Sequence, residues 1–281
     1  MPETAAFPLI VLRRLCAKYK KTKQLRLFRY TMEPPAEERL NSADMKKMAA
    51  EEAVKRYVKD GMAIGLGTGT TANFAILKIG ELAAEGLDVT CVATSVQSER
   101  LARSCGIEVY DLDQVGKLDI TIDGTDEADR DMQLIKGLGG ALLREKIVAA
   151  ATVKEIIVAG ESKVVDKLGT TVPLPVEVIP FGHAHTAKAL ARLGCTPVLR
   201  MAEESIPFVT DSGNYIYDCR FPDGIDMLYR TESAVNNIPG VVENGLFLNT
   251  AYEVLVCDRF YNITSMSRKA AERRGNEIRV V

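Results

Sequence analysis

Short apolar segments alternate with helical segments from residue 46 to residue 160, and this alternation limits the possible folds more than any other feature. Helical spacing of apolar residues predicts helices at 46–58, 70–86, 96–106 and 140–153. Apolar runs between them predict strands at 62–67, 88–95, 107–112, 118–124 and 155–160. Strands that alternate with helices favour an α/β fold, a parallel sheet with helices on both of its faces. The chain of 281 residues, 47% hydrophobic, is long enough to form one large core or two smaller ones.

The pattern changes near residue 172. The segment VPLPVEVIP (172–180) contains three prolines, which is typical of a linker. A predicted helix at 186–195 and strands with turns at 211–214 and 222–224 follow it, which indicates a small α+β unit. The apolar segment GLFLNTAYEVLVCD (245–258) is expected to return to the main sheet. We therefore expect a main α/β domain of residues 45–171 and 245–281, with a small α+β domain of residues 172–244.

The first 44 residues differ from the rest of the chain. Residues 9–30 are rich in lysine and arginine and contain no acidic residue, a composition found in organellar transit peptides. The segment lacks both the serine content of such peptides and the long apolar run of a secretion signal. Translation could also begin at Met32 or Met45. We favour a disordered or spurious extension of residues 1–44 over a targeting segment.

The bulk composition excludes several classes of protein. The formal net charge of -2 gives no sign of a nucleic-acid partner or an anionic membrane. No apolar run reaches the roughly 18 to 20 residues that span a bilayer, so we expect a soluble protein. The six cysteines form no CxxC pair, which favours free thiols in a reducing compartment such as the cytoplasm. The two histidines, His183 and His185, lack a third ligand nearby, and we expect no metal site.

The segment GLGTGTTA (65–72) lies between a predicted strand and a predicted helix. Glycine lets the backbone approach a ligand closely, and a helix N-terminus attracts phosphate. Thr68, Thr70 and Thr71 add hydroxyl donors beside Gly69. The loop has no P-loop lysine, and no acid ends the next strand to bind an NAD ribose. A small phosphorylated ligand is therefore favoured, and the alternative is a plain turn between strand and helix with threonine caps.

The acidic segment TIDGTDEAD (121–129) ends a predicted strand, and IKGLGGALLREK (135–146) follows almost at once. A lysine among carboxylates, Lys136, can stabilise an oxyanion, and a partly buried Glu145 can serve as a general base. The alternatives are a solvated acidic turn, a structural ion pair between Lys136 and Asp126, and a pairing of Glu145 with a residue three or four positions along its helix, although Ala149 at the fourth position carries no charge. The residues alone therefore indicate a cofactor-free enzyme that applies acid/base chemistry to a small phosphorylated, hydroxylated substrate.

Taken together, these segments closely resemble the A-type ribose-5-phosphate isomerase family. The family's motifs appear in order: GLGTGTTA, ATSVQS, TIDGTDEAD, LIKGLGGALLREKIVA, ESK, PLPVEVIPF, VTDSGNYIYD and IPGVVENGLF. The resemblance covers roughly residues 46 to 255. It implies interconversion of D-ribose 5-phosphate and D-ribulose 5-phosphate in the pentose phosphate pathway. It also implies a Rossmann-like main domain, a ferredoxin-like small domain, no cofactor, and a homodimer or homotetramer.

The resemblance also assigns roles to residues of this chain. Glu145 would be the base that moves a proton between C2 and C1 through a cis-enediol, and Lys136 would stabilise the developing negative charge. Asp123 and Asp126 would hold hydroxyls of the sugar and assist ring opening. The residues that would contact the phosphate or the rest of the substrate are Thr68, Gly69, Thr70, Thr71, Asp123, Gly124, Thr125, Asp126, Lys136, Gly137, Leu138, Gly139 and Lys163. Lys47 would match a lysine of the first helix that reaches the phosphate.

The chain departs from the family's pattern in the two site loops. Thr125 stands where alanine is commoner, and Leu138 stands in a glycine run, where a positive φ would strain a leucine. A sugar-phosphate-sensing domain is the main non-enzyme alternative, but it would not need Glu145 and Lys136 together. A related deaminase would be expected to use a histidine, and neither histidine lies in these loops.

Overall fold

The computed structural model describes residues 41–267. The expectations for residues 1–40 and for the end of the chain after residue 267 lie outside the described part. The first helix of the described range begins at Ser42, inside the segment predicted to be an extension. Asn41 caps it, because its side-chain oxygen accepts hydrogen bonds from the backbone N–H groups of Ala43 and Asp44, at 2.8 and 3.0 Å.

Seven α-helices and one 3₁₀ turn occur within residues 41–267. The helices are α1 Ser42–Tyr57, α2 Thr70–Ala84, α3 Val96–Ser104, α4 Leu112–Val115, α5 Leu142–Ala150, α6 His183–Ala191 and α7 Leu228–Asn236, and the 3₁₀ turn is Glu161–Lys163. The four longer helices predicted before residue 160 and the one predicted at 186–195 are all present, with shifted ends. Helix α7 was not predicted.

The main sheet has six strands in the order β15-β14-β6-β3-β1-β2. These strands are β1 Met62–Leu66, β2 Val89–Ala93, β3 Leu118–Gly124, β6 Thr152–Gly160, β14 Ala251–Cys257 and β15 Ile263–Ser267. Neighbouring strands are parallel except for the edge strand β15. Strand β14 confirms that the chain returns to this sheet after residue 245.

Helices cover both faces of the main sheet, which confirms the predicted α/β class. On one face, α1 and α2 pack Ala53 and Ile76 against Ile156 and other apolar side chains of the strands. On the other face, Leu142 and Ala149 of α5 pack against Ile157. Ile156 and Ile157 are neighbours in β6 and face opposite sides because side chains alternate along a strand.

A second, antiparallel sheet has the order β12-β7-β11-β8. Its strands are β7 Leu174–Val178, β8 Thr196–Leu199, β11 Tyr215–Arg220 and β12 Val241–Asn244. Leu190 of α6 and Val235 of α7 complete its core. Shorter strands form two further small sheets: β4 Glu127–Ala128, β5 Leu134–Ile135 and β13 Leu246–Phe247 in one, and β9 Met201–Glu203 and β10 Ile206–Pro207 in the other. The exact domain bounds stay predictions.

Two predictions of local structure were wrong. The expected linker at 172–180 contains β7, a central strand in which Leu174, Val176 and Val178 are fully buried. The expected strand at 107–112 makes a single bridge, from Val109 to Cys91. Its end turns into α4, where the Gln114 side chain accepts a hydrogen bond from the backbone N–H of Asp111 at 3.1 Å.

Candidate active site

One cavity lies at the carboxyl ends of β1, β3 and β6, where parallel sheets commonly bind ligands. The loops after these strands and the starts of α1, α2 and α5 supply its walls. The residues that line it are Lys46, Thr68, Gly69, Thr70, Thr71, Gly124, Thr125, Asp126, Lys136, Gly137, Gly139, Glu145 and Lys163. The cavity therefore combines basic, hydroxyl and carboxylate groups from segments far apart in the chain.

A buried lysine and two buried carboxylates form the charged centre of this cavity. The Lys136 Nζ atom lies 3.0 Å from Oδ2 of Asp123 and 3.3 Å from Oε2 of Glu145. It also donates a hydrogen bond to the backbone oxygen of Gly124 at 2.7 Å. Each of the three side chains is at most 5% exposed. One lysine therefore neutralises only part of the negative charge that two ionised carboxylates would bring.

Burial shifts the proton affinities of this centre. Burial raises the pKa of Glu145 to about 8, although Lys136 acts in the opposite direction and Asp123 adds to the rise. Burial also raises the pKa of Asp123, against the influence of Lys136. Burial would lower the pKa of Lys136, but the surrounding carboxylates raise it above its usual range. Glu145 thus has the proton affinity of an effective general base near neutral pH.

Asp123 is bound tightly beneath the cavity. Its Oδ1 atom accepts hydrogen bonds from the backbone N–H groups of Thr68 and Gly124, at 3.0 and 2.7 Å, while Oδ2 faces Lys136. A Cβ atom at Gly67 would lie 2.2 Å from Oδ1 of Asp123, so this close approach of β1 to β3 requires glycine. Asp123 therefore holds the glycine-threonine loop and Lys136 in place.

The start of α2 forms a basic corner of the cavity. Gly69, with φ of 102°, precedes the helix, a backbone conformation that favours glycine. The Nζ atom of Lys46 in α1 donates a hydrogen bond to Oγ1 of Thr70 at 3.0 Å. The first N–H groups of a helix have no partner within the helix, and they stand beside this lysine. This corner is suited to an anion.

The Thr68 hydroxyl has a different environment from those of Thr70 and Thr71. Its Oγ1 atom lies 2.7 Å from Oγ1 of Thr94 and 2.8 Å from Oγ of Ser95. Thr94 and Ser95 follow β2, so Thr68 joins the ends of β1 and β2. Thr68 lines the cavity, but neighbouring hydroxyls already contact its side chain, and its contact with a ligand stays a prediction.

The second glycine loop is held from two sides. The backbone N–H of Leu138 donates to Oδ2 of Asp126 at 2.9 Å. From the second sheet, Nη1 of Arg200 donates to the backbone oxygens of Gly137 and Leu138, both at 3.0 Å, while the Arg200 guanidinium also pairs with Asp218. Sequence reasoning missed Arg200, since no local pattern links a residue after β8 to a loop more than 60 positions earlier.

The sequence of this chain matches one known family of proteins. The family model for ribose 5-phosphate isomerase A (phosphoriboisomerase A) matches residues 90–259. The ribose-5-phosphate isomerase A of Parvibaculum lavamentivorans is 48% identical, over 77% of this chain and 95% of that protein. The relative from Bacillus mycoides is 47% identical, over 76% of this chain and 95% of its own length.

Solved structures give the same result. Ribose 5-phosphate isomerase from Plasmodium falciparum superposes with a TM-score of 0.78 at 38% identity, covering 81% of this chain and 99% of that one. A D-ribose-5-phosphate isomerase in complex with phospho-erythronic acid has a TM-score of 0.78 at 39% identity, covering 82% of this chain and all of its own. This chain belongs to the ribose 5-phosphate isomerase A family.

Most of the residues that the sequence predicts for the site line the cavity. Asp123 and Leu138 are the two predicted contact residues that are not among the described residues lining it. Leu138 is 38% exposed, and the described non-glycine residues with positive φ are Met132, Asn249 and Tyr261. The strain expected at Leu138 is therefore not found, and the isomerase loop accommodates this leucine by turning its side chain outward.

Lys47 of α1 was predicted to reach the phosphate, but the lysine that faces the cavity is the residue before it. Lys46, not Lys47, lines the cavity, while Lys47 is exposed and lies 3.7 Å from Glu51. Lys46 shares a helix face with the buried Ala49 and Ala53, which lie three and seven positions later. The apolar spacing of α1 therefore contained the signal that distinguishes the two lysines.

Both histidines, His183 and His185, lie in α6, the helix that packs on the second sheet, and neither lines the cavity. Nδ1 of His183 lies 2.8 Å from the hydroxyl of Tyr217, and its ring packs against Tyr215. Within residues 41–267 no group of three or more histidine, cysteine or acidic side chains could hold a metal ion. In the same part of the chain, no helix has the length and apolarity needed to cross a membrane.

Proposed function

We propose that this chain interconverts D-ribose 5-phosphate and D-ribulose 5-phosphate, an aldose-ketose isomerisation of the pentose phosphate pathway. The observation that carries the proposal is Glu145: a buried carboxyl group with a raised pKa, 3.3 Å from Lys136 and open to the cavity. Membership of the isomerase A family supports the same reaction. The sugar-sensing alternative has no use for this pair, since binding alone needs no base with a raised pKa.

The basic corner would bind the phosphate. Lys46 supplies a positive charge, Thr70 and Thr71 supply hydroxyls, and the first turn of α2 supplies N–H groups. Lys163, on the 3₁₀ turn after β6, lines the same cavity and would close over the ligand. The relative solved with phospho-erythronic acid binds a phosphorylated sugar acid, which is a ligand of this chemical class.

The charged centre would carry out the proton transfer. Glu145 takes the proton from C2 of the open-chain aldose and returns it to C1 through a cis-enediol. In the same conversion the hydroxyl proton of O2 moves to O1, and the C=O double bond moves from C1 to C2. Lys136 stabilises the negative charge that develops on oxygen. Asp126 lines the cavity and is available to the sugar hydroxyls. Asp123 acts one layer deeper, where it orients Lys136.

A direct assay tests this proposal. The purified chain is incubated with D-ribose 5-phosphate, without added metal or nucleotide, and formation of D-ribulose 5-phosphate is followed. We expect steady turnover, with competitive inhibition by phospho-erythronic acid. Absence of turnover in a folded preparation that still binds phospho-erythronic acid would reject the isomerase and favour a sensing role.

We further propose that the protein works in the cytoplasm as a homodimer or homotetramer, with no nucleic-acid or membrane partner. The family resemblance and the balanced charge of the chain support this. Size-exclusion chromatography with light scattering, at micromolar concentration, measures the mass directly. A monomer at the concentration where the enzyme is active would contradict the assembly.

A further inference from the structure

Another buried glutamate lies behind the charged centre, and the proposed reaction gives it no role. Glu155 is in the middle of the main sheet, on β6, and is only 2% exposed. Its neighbours across the sheet are Thr121 of β3 and Ala251 of β14. A carboxyl group in such a position is costly when ionised, so it is expected to interact with a compensating charge.

Glu155 faces the same side of the sheet as the charged centre. In β6 it shares its face with Ile157, which packs under α5, the helix that carries Glu145. The register pairs Glu155 with Thr121 and Ile157 with Asp123. Paired residues of neighbouring strands point to the same face, so Glu155 and Asp123 are diagonal neighbours beneath α5.

The carboxyl group of Glu155 lacks the partners that usually hold a buried acid. Neither of its oxygens has a hydrogen bond of normal geometry to any residue of the described range. Its neighbours are Lys136 and the Thr250 hydroxyl, which lower its pKa, and Asp123, which raises it. Lys136 is already in ion-pair distance of Asp123 and Glu145. Three buried carboxyl groups thus depend on the charge of one buried lysine.

We propose that Glu155 is a positioning residue of this site, which competes with Glu145 for the positive charge of Lys136 and so sets the pH at which Glu145 becomes the base. This inference rests on the proposed isomerisation. Like charges in a shared low-dielectric region raise one another's proton affinity, and their titrations are coupled. Burial raises the pKa of Glu155 to about 7, which is in the range where Glu145 also titrates.

Other charged groups on the neighbouring elements are already paired or lie at the edge of the sheet. Lys146 of α5 pairs with Glu243 at 2.8 Å, above the Phe247 ring. Asp119, at the exposed start of β3, accepts a hydrogen bond from the backbone N–H of Ala63 at 2.9 Å. Glu253 of β14 interacts with Arg56 and Tyr57 of α1 on the opposite face. Among residues 41–267, the groups left to respond to Glu155 are Lys136, Asp123 and Glu145.

The competition has a direct consequence for catalysis. An ionised Glu155 raises the proton affinity of Glu145, which makes Glu145 a stronger base but also keeps it protonated up to a higher pH. Removal of the Glu155 charge should therefore do two opposite things. It should extend activity to lower pH, and it should reduce the maximal rate, because a base of lower pKa removes a proton less readily.

The test compares pH profiles of kcat/KM and kcat for the parent and for Glu155→Gln. We expect the acidic limb of the variant to move to lower pH by about one unit, with a few-fold lower plateau kcat, so that the two profiles cross. Glu155→Met also removes the charge while leaving an apolar side chain, and it should give the same shift. Glu253→Gln is the matched control: a buried glutamate one strand away, 8% exposed, on the other face, whose profile should equal that of the parent.

Two results would overturn the inference while leaving the isomerase assignment intact. In an active parent enzyme, an unchanged acidic limb in Glu155→Gln would show that Glu155 does not influence the base. A scaled-down profile of unchanged shape, in both Glu155 variants, would indicate a packing role only.

A measurement without substrate separates this inference from the proposed function. Carboxyl carbons of ¹³C-labelled glutamate are titrated by NMR, and the Glu145 signal is assigned by its loss in Glu145→Gln. The midpoint for Glu145 should fall by about one unit in Glu155→Gln, even in a protein that failed to isomerise ribose 5-phosphate. An identical midpoint in parent and variant would contradict the coupling, whatever the enzyme's activity.

Discussion

Two buried glutamates, Glu127 in β4 and Glu145 in α5, have opposite environments. Glu127 is fully buried and accepts four hydrogen bonds: from the backbone N–H groups of Gly169, Thr171 and Val172, and from the Thr171 hydroxyl, at 2.5 to 3.0 Å. Glu145 is nearly as buried, but its Oε2 atom has Lys136 at 3.3 Å and no hydrogen bond of normal geometry within residues 41–267.

The acidic residues that follow β3 include some with structural roles, which differ from the role proposed for Glu145. Glu127 connects the acidic loop to residues 169–172 and is satisfied as a carboxylate, so it stabilises the fold. Asp129 orders its own turn by accepting from the backbone N–H groups of Asp131 and Gln133, at 2.9 and 2.8 Å. Glu145 is left with too little compensation, which is the condition that raises a pKa and prepares a base. Burial alone therefore does not single out the candidate base. Glu145 combines incomplete compensation of its charge with a place in the wall of the cavity.

The sharpest contrast comes from the same substitution at both glutamates. Glu145→Gln should lower kcat by about 10² to 10⁴-fold, the usual contribution of a general base, while phospho-erythronic acid still binds. Its stability should not fall, because the neutral amide no longer carries a poorly compensated charge. Steady-state kinetics and denaturant unfolding of the same preparation measure both. Turnover at the parent rate would show that Glu145 is not the base.

Glu127→Gln should give the reverse pattern. The amide NH₂ group would meet backbone N–H donors, so we expect a loss of about 3 kcal/mol in the free energy of unfolding, from several broken charge-assisted hydrogen bonds. The folded fraction should retain kcat within a few-fold of the parent. A stability equal to that of the parent would contradict the structural role.

Glu155 predicts a pH dependence of stability with a definite sign. Its pKa rises from an ordinary 4.5 to about 7 on folding, so the folded state favours the protonated form. Below pH 4.5 the contribution of Glu155 to stability is fully present, and it is lost as the pH rises to 7. Relative to the parent, Glu155→Gln should therefore gain about 3 kcal/mol of unfolding free energy between pH 4.5 and 7. A constant difference across this window would exclude the shift.

The smallest effect distinguishes two adjacent lysines. Lys46→Met removes the cation beside Thr70 and should raise KM for ribose 5-phosphate about tenfold, with little change in kcat, as expected for the loss of one charge-assisted phosphate contact. Lys47→Met is the matched control and should leave both constants unchanged, since Lys47 faces Glu51 and solvent. Equal effects of the two substitutions would refute the assignment of Lys46 to the phosphate.

The sequence predicts those parts of the molecule that depend on local patterns. Three local patterns were informative: the glycine-threonine spacing between β1 and α2, the acids at the end of β3, and the segment 135–146 that follows them. They predict Thr70, Asp126 and Glu145 at one edge of a parallel sheet, and all three line one cavity in the structure. The α/β class follows from the same alternation of elements. Asp123 was recognised too, but its depth beneath Lys136 depends on the close approach of Gly67, which spacing alone does not describe.

Features that depend on pairing between distant segments were missed. The contact from Arg200 to the second glycine loop requires the second sheet to be in place. The position of Glu155 beneath α5 depends on the register between β3 and β6, and a one-residue slip would turn its side chain to the opposite face. Strand β7 was taken for a linker because three prolines fall within residues 172–180. Its burial comes from two neighbouring strands and two helices.

Hydrogen exchange with solvent tests the role of Glu145 most directly. Ribose 5-phosphate is incubated in D₂O with the parent or with Glu145→Gln, and deuterium at C2 of the aldose and C1 of the ketose is followed by NMR. If a carboxylate base exchanges its proton with solvent, the parent enzyme should incorporate deuterium at these carbons. The Gln variant should bind phospho-erythronic acid but incorporate at least a hundredfold more slowly, roughly the lower limit for loss of a general base. Incorporation by Glu145→Gln at the parent rate would contradict the proposal that this carboxyl group moves the proton.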